Sequence, residues 1–220
     1  MKKVMLSVLL LVTACGPPPA DNPTATLAVV RVYATSAAQP WLEALYDCAA
    51  RQSVALSLSD PGSAEIALRL GEPQNLTLPA FQLAWEEIVV IVNPAHAFHQ
   101  LQTEQVVGLF TGAINDWSQV NPDETGAVRV WVFAAGDDTQ QVFAKTLAGR
   151  PFVSDARLAT SPEEMSKAVA SDPNAVGILS RHWNTGNVSN VYVAASAPVL
   201  AVTPSKPQGV TKDLLACLQG

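Results

Sequence analysis

Seven residues in three short stretches carry the hydroxyl, carboxylate and amide groups with which a small polar ligand could be held. They are Thr35 and Ser36 in Ala34-Thr35-Ser36-Ala37, Asp60 in Ser59-Asp60-Pro61-Gly62-Ser63, and Asp137, Asp138, Thr139 and Gln140 in Ala135-Gly136-Asp137-Asp138-Thr139-Gln140. Each stretch follows a β-rich run and opens a helix or a turn. In open α/β sheets, ligands sit beyond the carboxyl ends of strands, where helix N-termini offer unpaired N–H groups and a partial positive charge. The chemistry on offer is recognition, with no bond made or broken. A plainer reading stands beside it: Ser36 and Thr139 also suit helix caps, Asp137 and Asp138 suit a helix start for dipole reasons, and Asp60 suits an Asx turn.

Catalytic and cofactor chemistry finds little support. The chain has no G-x-S-x-G elbow, and neither a Walker-type phosphate loop nor a dinucleotide fingerprint. His96 and His99 form the one close histidine pair, without further ligands nearby to complete a zinc site, and His182 stands alone. No enzyme activity, cofactor or metal is expected. The net charge of −6, with no Lys/Arg cluster beyond the N-terminus, leaves nucleic acid without an electrostatic footprint.

The elements that must position these residues alternate as strand and helix, the pattern of an α/β chain with substantially parallel sheets. Strands are predicted over 27–33, 54–58, 66–70, 82–93, 128–133 and 175–179, with short ones over 191–193 and 199–202. The IVVIV run within 82–93 is apolar on both faces and belongs in a sheet interior. Helices are predicted over 40–52, where Trp41, Leu42, Leu45 and Ala49 recur at spacings of three and four, and over 103–110 and 210–218. Another leads from Gly136-Asp137-Asp138-Thr139 to about Ala148. One more starts at Ser161, with Pro162 at the first helical position and Glu164 placed for a capping box. Trp41 reads as core before aromatic platform, and Trp117 as packing.

The first fifteen residues, MKKVMLSVLLLVTAC, fix the compartment. Lys2 and Lys3 form a cationic n-region, Val4 to Val12 an apolar h-region, and Thr13-Ala14 a small-residue cleavage site. The apolar run is shorter than the roughly 20 residues that a membrane-spanning helix needs. The phrase V-T-A-C resembles the bacterial lipobox, which implies cleavage before Cys15 and lipidation of that thiol; the alternative is a plain secretory signal with an incidental cysteine. Residues 16–25, with Gly16-Pro17-Pro18-Pro19, read as a stiff spacer. The protein is then expected to be extracytoplasmic, held to a bacterial membrane by a lipid, in the periplasm or at the cell surface. With Cys15 acylated, Cys48 and Cys217 remain as a pair in an oxidising compartment and are expected to bridge, the alternative being two separate buried thiols.

At Leu109 to Val120 the chain reads LFTGAINDWSQV, which resembles a phrase of the type IFTGKITNWSEV in periplasmic solute-binding proteins of the phosphate-binding-protein-like family. Phe110, Thr111, Gly112, Ile114 and Trp117 match in order. WEEIVVIVNP (85–94) resembles the strand that crosses into the second lobe, and AVASDPNAVGILS (168–180) the phrase before the return. The resemblance implies a two-lobed, type II-like α/β fold with two crossover strands and a ligand cleft between the lobes. Lobe one is expected over 26–89 plus 181–220 and lobe two over 90–180, with hinges near Ile91–Asn93 and Leu179–Arg181. Cys48 and Cys217 then fall in the same lobe.

The resemblance further implies a monomeric substrate-binding component of an ABC importer that takes phosphate or a similar small oxyanion and delivers it to a membrane permease. In the family the first and third loops resemble GSSTVAP and GSGTR. Here Ser36 and Pro40 match, but Ala37 replaces a hydroxyl. Gly136 and Thr139 match, whereas Asp137, Asp138 and Gln140 replace Ser, Gly and Arg. Losing the Arg removes a bidentate, charge-assisted grip. A neutral or cationic organic solute is therefore the alternative ligand, and a surface interaction or sensory lipoprotein the alternative role.

Overall fold

The structure, a computed structural model, describes residues 27–73 and 75–220. The signal over 1–15, Cys15 and the spacer over 16–25 lie outside the described residues. One eight-stranded sheet runs through the molecule, formed by β1 (Ala28–Ala34), β2 (Val54–Leu58), β3 (Ile66–Leu70), β4 (Ala80–Val92), β5 (Arg129–Val132), β6 (Arg157–Leu158), β7 (Ala175–Ser180) and β8 (Ser189–Val202). Their spatial order is β2-β1-β3-β8-β4-β7-β5-β6. The helices are α1 (Leu42–Arg51), α2 (Thr103–Thr111), α3 (Asp138–Ala144), α4 (Pro162–Ser171) and α5 (Gly209–Gln219).

Two long strands divide the sheet. β4 and β8, of 13 and 14 residues, pair antiparallel with each other along their length, with register shifts at Gln82/Ala84, Ile88/Val89 and Val90/Ile91. Such irregularities bend and twist a strand pair. At one end Val199–Val202 of β8 also pairs with β3, and at the other Ile88–Val92 of β4 also pairs with β7. Parallel strands complete each side: β2-β1-β3 on one, β7-β5-β6 on the other. This is a two-lobed α/β fold joined by two crossing strands.

β8 corrects the expectation of two short strands over 191–193 and 199–202. The intervening Ala-Ala-Ser-Ala-Pro has low strand propensity, yet pairing with β4 through Ala195, Ser196, Ala197 and Pro198 carries the strand across the gap. β6 was not predicted, and its two residues are ordered by pairing with β5.

Each lobe has its own buried cluster. Lobe one packs Val30, Val32, Leu45, Ile66, Leu68, Leu214 and Leu215 between the sheet and the pair α1 and α5. Cys48 of α1 and Cys217 of α5 are joined in a disulfide, with Cα atoms 5.9 Å apart. Lobe two packs Phe110, Trp117, Phe143, Met165 and the apolar faces of β4, β5 and β7. Val188 and Val191 are buried in this second cluster. Trp117 is fully buried, and its indole N–H donates to the Asn174 carbonyl at 3.1 Å.

Candidate functional site

The strand-to-helix junctions of the two lobes meet face to face. After β1 the chain turns at Thr35, whose amide donates to the Leu68 carbonyl (3.1 Å), and enters a 3-10 turn over Ser36–Trp41 that leads into α1. After β5 it turns through Ala134–Gly136 and enters α3 at Asp137. Asp137 caps its own helix, accepting from the Thr139 amide at 2.8 Å and the Gln140 amide at 3.2 Å through one oxygen. Its other oxygen reaches across and accepts from the Ser36 hydroxyl at 2.8 Å.

Asp138 goes further into lobe one. One carboxylate oxygen accepts from the Thr35 hydroxyl (2.8 Å) and the Leu70 amide (3.0 Å); the other accepts from the Arg69 guanidinium at 2.7 Å. The Asp138 side chain is only 3% exposed, against 31% for Arg69. A buried carboxylate needs hydrogen bonds and a countercharge to offset its lost hydration, and here every such group comes from the opposite lobe. Gly71 makes the approach possible. Its φ of +75° suits glycine, and a Cβ there would stand 2.9 Å from Val142 of α3, so only a residue without one lets the end of β3 come this close to lobe two.

The seven sequence candidates therefore separate. Thr35, Ser36, Asp137 and Asp138 are in direct contact. Thr139 and Gln140 are buried at the start of α3, where the Gln140 side-chain oxygen accepts from the Phe133 amide at 3.0 Å and so faces into its own lobe. Asp60 is exposed in its turn, where its carbonyl accepts from the Ser63 amide at 3.1 Å. Arg69 and the Leu70 amide were missed. One signal was available: Arg69 is the only Lys or Arg between Arg51 and Arg129, set in the otherwise apolar strand I-A-L-R-L.

A second set of contacts lies where β4 meets the end of β7. Glu86 of β4 is 1% exposed and is bonded to Nδ1 of His182, which follows β7. The His182 ring packs 4.9 Å from that of Trp41, and the Trp183 indole N–H donates to the Ser36 carbonyl at 3.0 Å. Trp41 packs against both buried clusters. Beside the Asp138 contact, a groove of about 550 Å³ opens between Gly71 and Glu72 of lobe one and, across from them, Val142 of α3 and Lys145 just after it, with Trp85 among its lining residues. A space of about 60 Å³ bounded in part by Asp138 shares those four wall residues.

Comparison with solved structures finds the same fold at low identity. A provisional phosphate ABC transporter substrate-binding protein from Clostridium perfringens, solved with bound phosphate, superposes with a TM-score of 0.77 at 16% identity, over 86% of this chain and 92% of that one. An ABC-type phosphate transport receptor from Vibrio cholerae gives 0.66 at 19% identity, over 88% and 93%. The CcmR regulatory domain of Synechocystis PCC6803, solved with 2-PG, gives 0.64 at 13% identity, over 87% and 96%. At these identities the likeness establishes the fold, and the fold hosts more than one role. No protein-family model matches the chain. No curated protein matches it by sequence. Among the described residues no helix is long and apolar enough to cross a membrane.

Proposed function

We propose that this chain is an extracytoplasmic solute-binding lipoprotein, anchored through a lipid on Cys15 and acting as a monomer, that takes a small oxyanion of the phosphate kind between its lobes and presents it to an ABC permease. The observation that carries this reading is the convergence of the Thr35 and Ser36 hydroxyls, the Leu70 amide and the Arg69 guanidinium at one lobe edge. Hydroxyls, a backbone N–H and a planar cation are the donor set that an oxyanion requires. Arg69 supplies from lobe one the cation that Gln140 does not supply from lobe two. We place the crossings in β4 and β8, with the second near Ala194–Ala197 instead of at Leu179–Arg181, because β8 is the strand that pairs on both sides. In this reading Thr139 and Gln140 position α3.

Solute would be held by closure, each lobe contributing to its affinity for the closed form. Titration calorimetry and thermal melting of the mature protein against phosphate, sulfate, molybdate and small organic solutes test it. Phosphate should raise the melting temperature saturably. A flat response to all three oxyanions removes this ligand class.

A second reading keeps the fold and changes the solute. The groove beside the contact offers the exposed Trp85 indole, the Glu72 carboxylate and the Gln82 amide, which suit a cationic or neutral organic molecule. A response confined to organic solutes in the same titrations selects it.

A further inference from the structure

We propose that the Asp138 carboxylate is the chain's own occupant of the anion position, so that the lobes latch without solute and an external oxyanion must displace a built-in one. This rests on the oxyanion reading above for the identity of the competing ligand, but not for the latch itself. Three donors from lobe one meet on this single side chain: Thr35 Oγ1 at 2.8 Å, Leu70 N at 3.0 Å and Arg69 Nη2 at 2.7 Å. Between them they offer one hydroxyl, one amide and one cation, and Asp138 neutralises that cation.

Capping of α3 does not call for this side chain. Asp137 already caps α3 by accepting from the Thr139 and Gln140 amides, so the Asp138 carboxylate is free to serve another element. Its partners lie 103, 69 and 68 positions away in the chain, all across the inter-lobe boundary. Removing it would leave a partly buried guanidinium, a hydroxyl and a backbone N–H facing an emptied space, and an unpaired cation in such a place favours any small anion that fits. The neighbouring space of about 60 Å³, lined by Asp138 with Glu72 and Lys145, whose opposite charges offset each other, leaves room beside the carboxylate for an anion's approach.

The latch exerts two effects. It lowers oxyanion affinity, because binding must first undo three bonds to Asp138. It also sets the resting shape, since closure no longer waits for solute.

The test uses the mature protein with Asp138→Ala and, as a near-isosteric control that keeps the shape and removes the charge, Asp138→Asn. Acetate reproduces the carboxylate that is lost and inorganic phosphate probes the competing ligand. The melting temperature of Asp138→Ala should fall below wild type, rise again with millimolar acetate and leave wild type unmoved by the same acetate. Its phosphate affinity should be at least tenfold above wild type, and Arg69→Met added to it should abolish the gain. In phosphate-free buffer its scattering radius should exceed that of wild type and contract when phosphate is added. Rescue by acetate without phosphate binding in any variant supports the latch and overturns the oxyanion reading. Phosphate binding by wild type that weakens in both variants, with no acetate rescue, overturns the latch and leaves the oxyanion reading standing. If Asp138→Ala fails to fold, Asp138→Asn decides: tighter phosphate binding than wild type supports the latch, and equal or weaker binding ends it.

Discussion

The two lobes are stabilised by different means and bring opposite chemistry to their meeting. Lobe one is packed from aliphatic side chains and has α1 fastened to α5 through Cys48–Cys217. Lobe two contains no cysteine between 90 and 195 and is built around Phe110, Phe143 and Trp117, with the Phe110 and Phe143 rings 4.5 Å apart. At the boundary, lobe one supplies the side-chain and amide donors at Thr35, Ser36, Arg69 and Leu70 to the lobe-two carboxylates of Asp137 and Asp138, while the Trp183 indole donates the other way, to the Ser36 carbonyl. The two cores are largely separate, although Ala37, Trp41 and Leu70 of lobe one also pack into the cluster of lobe two. Halves with complementary edges can close on each other as readily as on a solute. The difference teaches that stability within a lobe and attraction between lobes reside in separate residues, and can be altered one at a time.

The sharpest way to break that separation is in lobe two's core. Trp117→Ala removes a fully buried indole and its bond to Asn174, and should cost about 3–5 kcal/mol by the usual scale of aromatic truncations. Denaturant unfolding with hydrogen exchange should show protection lost in α2 and β7 and retained in α1 and α5 (Trp117 is far in sequence from both). Uniform loss in both lobes would mean the cores are one cooperative unit. Next in size is the staple of lobe one. Replacing Cys48 and Cys217 together by Ala opens a link spanning 169 positions and should cost roughly 2–4 kcal/mol. The lost protection should now map to α1 and α5, the reverse of the Trp117 pattern.

A smaller effect sharpens the boundary itself. Gly71→Ala forces a side chain into positive φ and against Val142 across the contact, costing about 1–3 kcal/mol. It should enlarge the scattering radius of the ligand-free protein, and a loss of stability with no change of radius would place the strain within lobe one. Asp137→Ala removes the α3 cap along with the Ser36 bond and should cost on the order of 1 kcal/mol, read by thermal melting.

Least in size is an acid response confined to lobe two. Burial works against ionised Glu124, but the Ala97 amide, the bond and charge of His96 and the Asn121 amide together hold its carboxyl below the ordinary 4.5. Burial likewise opposes ionised Asp172, and Arg129, the Asn174 amide and the charge of Arg157 outweigh it, holding the carboxyl below 3.8. A carboxyl depressed in the folded state contributes stability that is present above its unfolded value and disappears as pH falls through the folded one. Melting temperature should therefore decline from about pH 4.5 downward. Glu124→Gln and Asp172→Asn should make that decline shallower, and an unchanged slope in both variants would refute the assignment.

Much of the local architecture was readable in the residues. The β-branched run over 27–33 became β1, the short stretches over 54–58 and 66–70 became β2 and β3, and the spacing of Leu42, Leu45 and Ala49 became α1. Ser161 accepts from the Glu164 amide at 3.2 Å as a cap does, though the Glu164 carboxylate turns to Thr160 and completes only half of the box. Such features depend on neighbours three or four positions away, so a short stretch of sequence contains their cause. Residue type and strand-end position also singled out Thr35, Ser36, Asp137 and Asp138.

What those four residues do to one another lay beyond the sequence. Side chains more than a hundred positions apart met only because the sheet order placed the ends of β1 and β5 opposite each other across β4 and β8. The isolation of Arg69 in an apolar strand set it apart, but nothing local pointed to Asp138 as its partner, and the continuity of β8 through Ala-Ala-Ser-Ala-Pro came from its partner strand. Sequence by itself determined the element types, the segregation of apolar residues and the cysteine pair, because propensity and periodicity act over short range. Tertiary structure alone decided that the donors of one lobe are satisfied by a carboxylate of the other, because burial and Coulomb attraction act between groups that only folding brings within 3 Å.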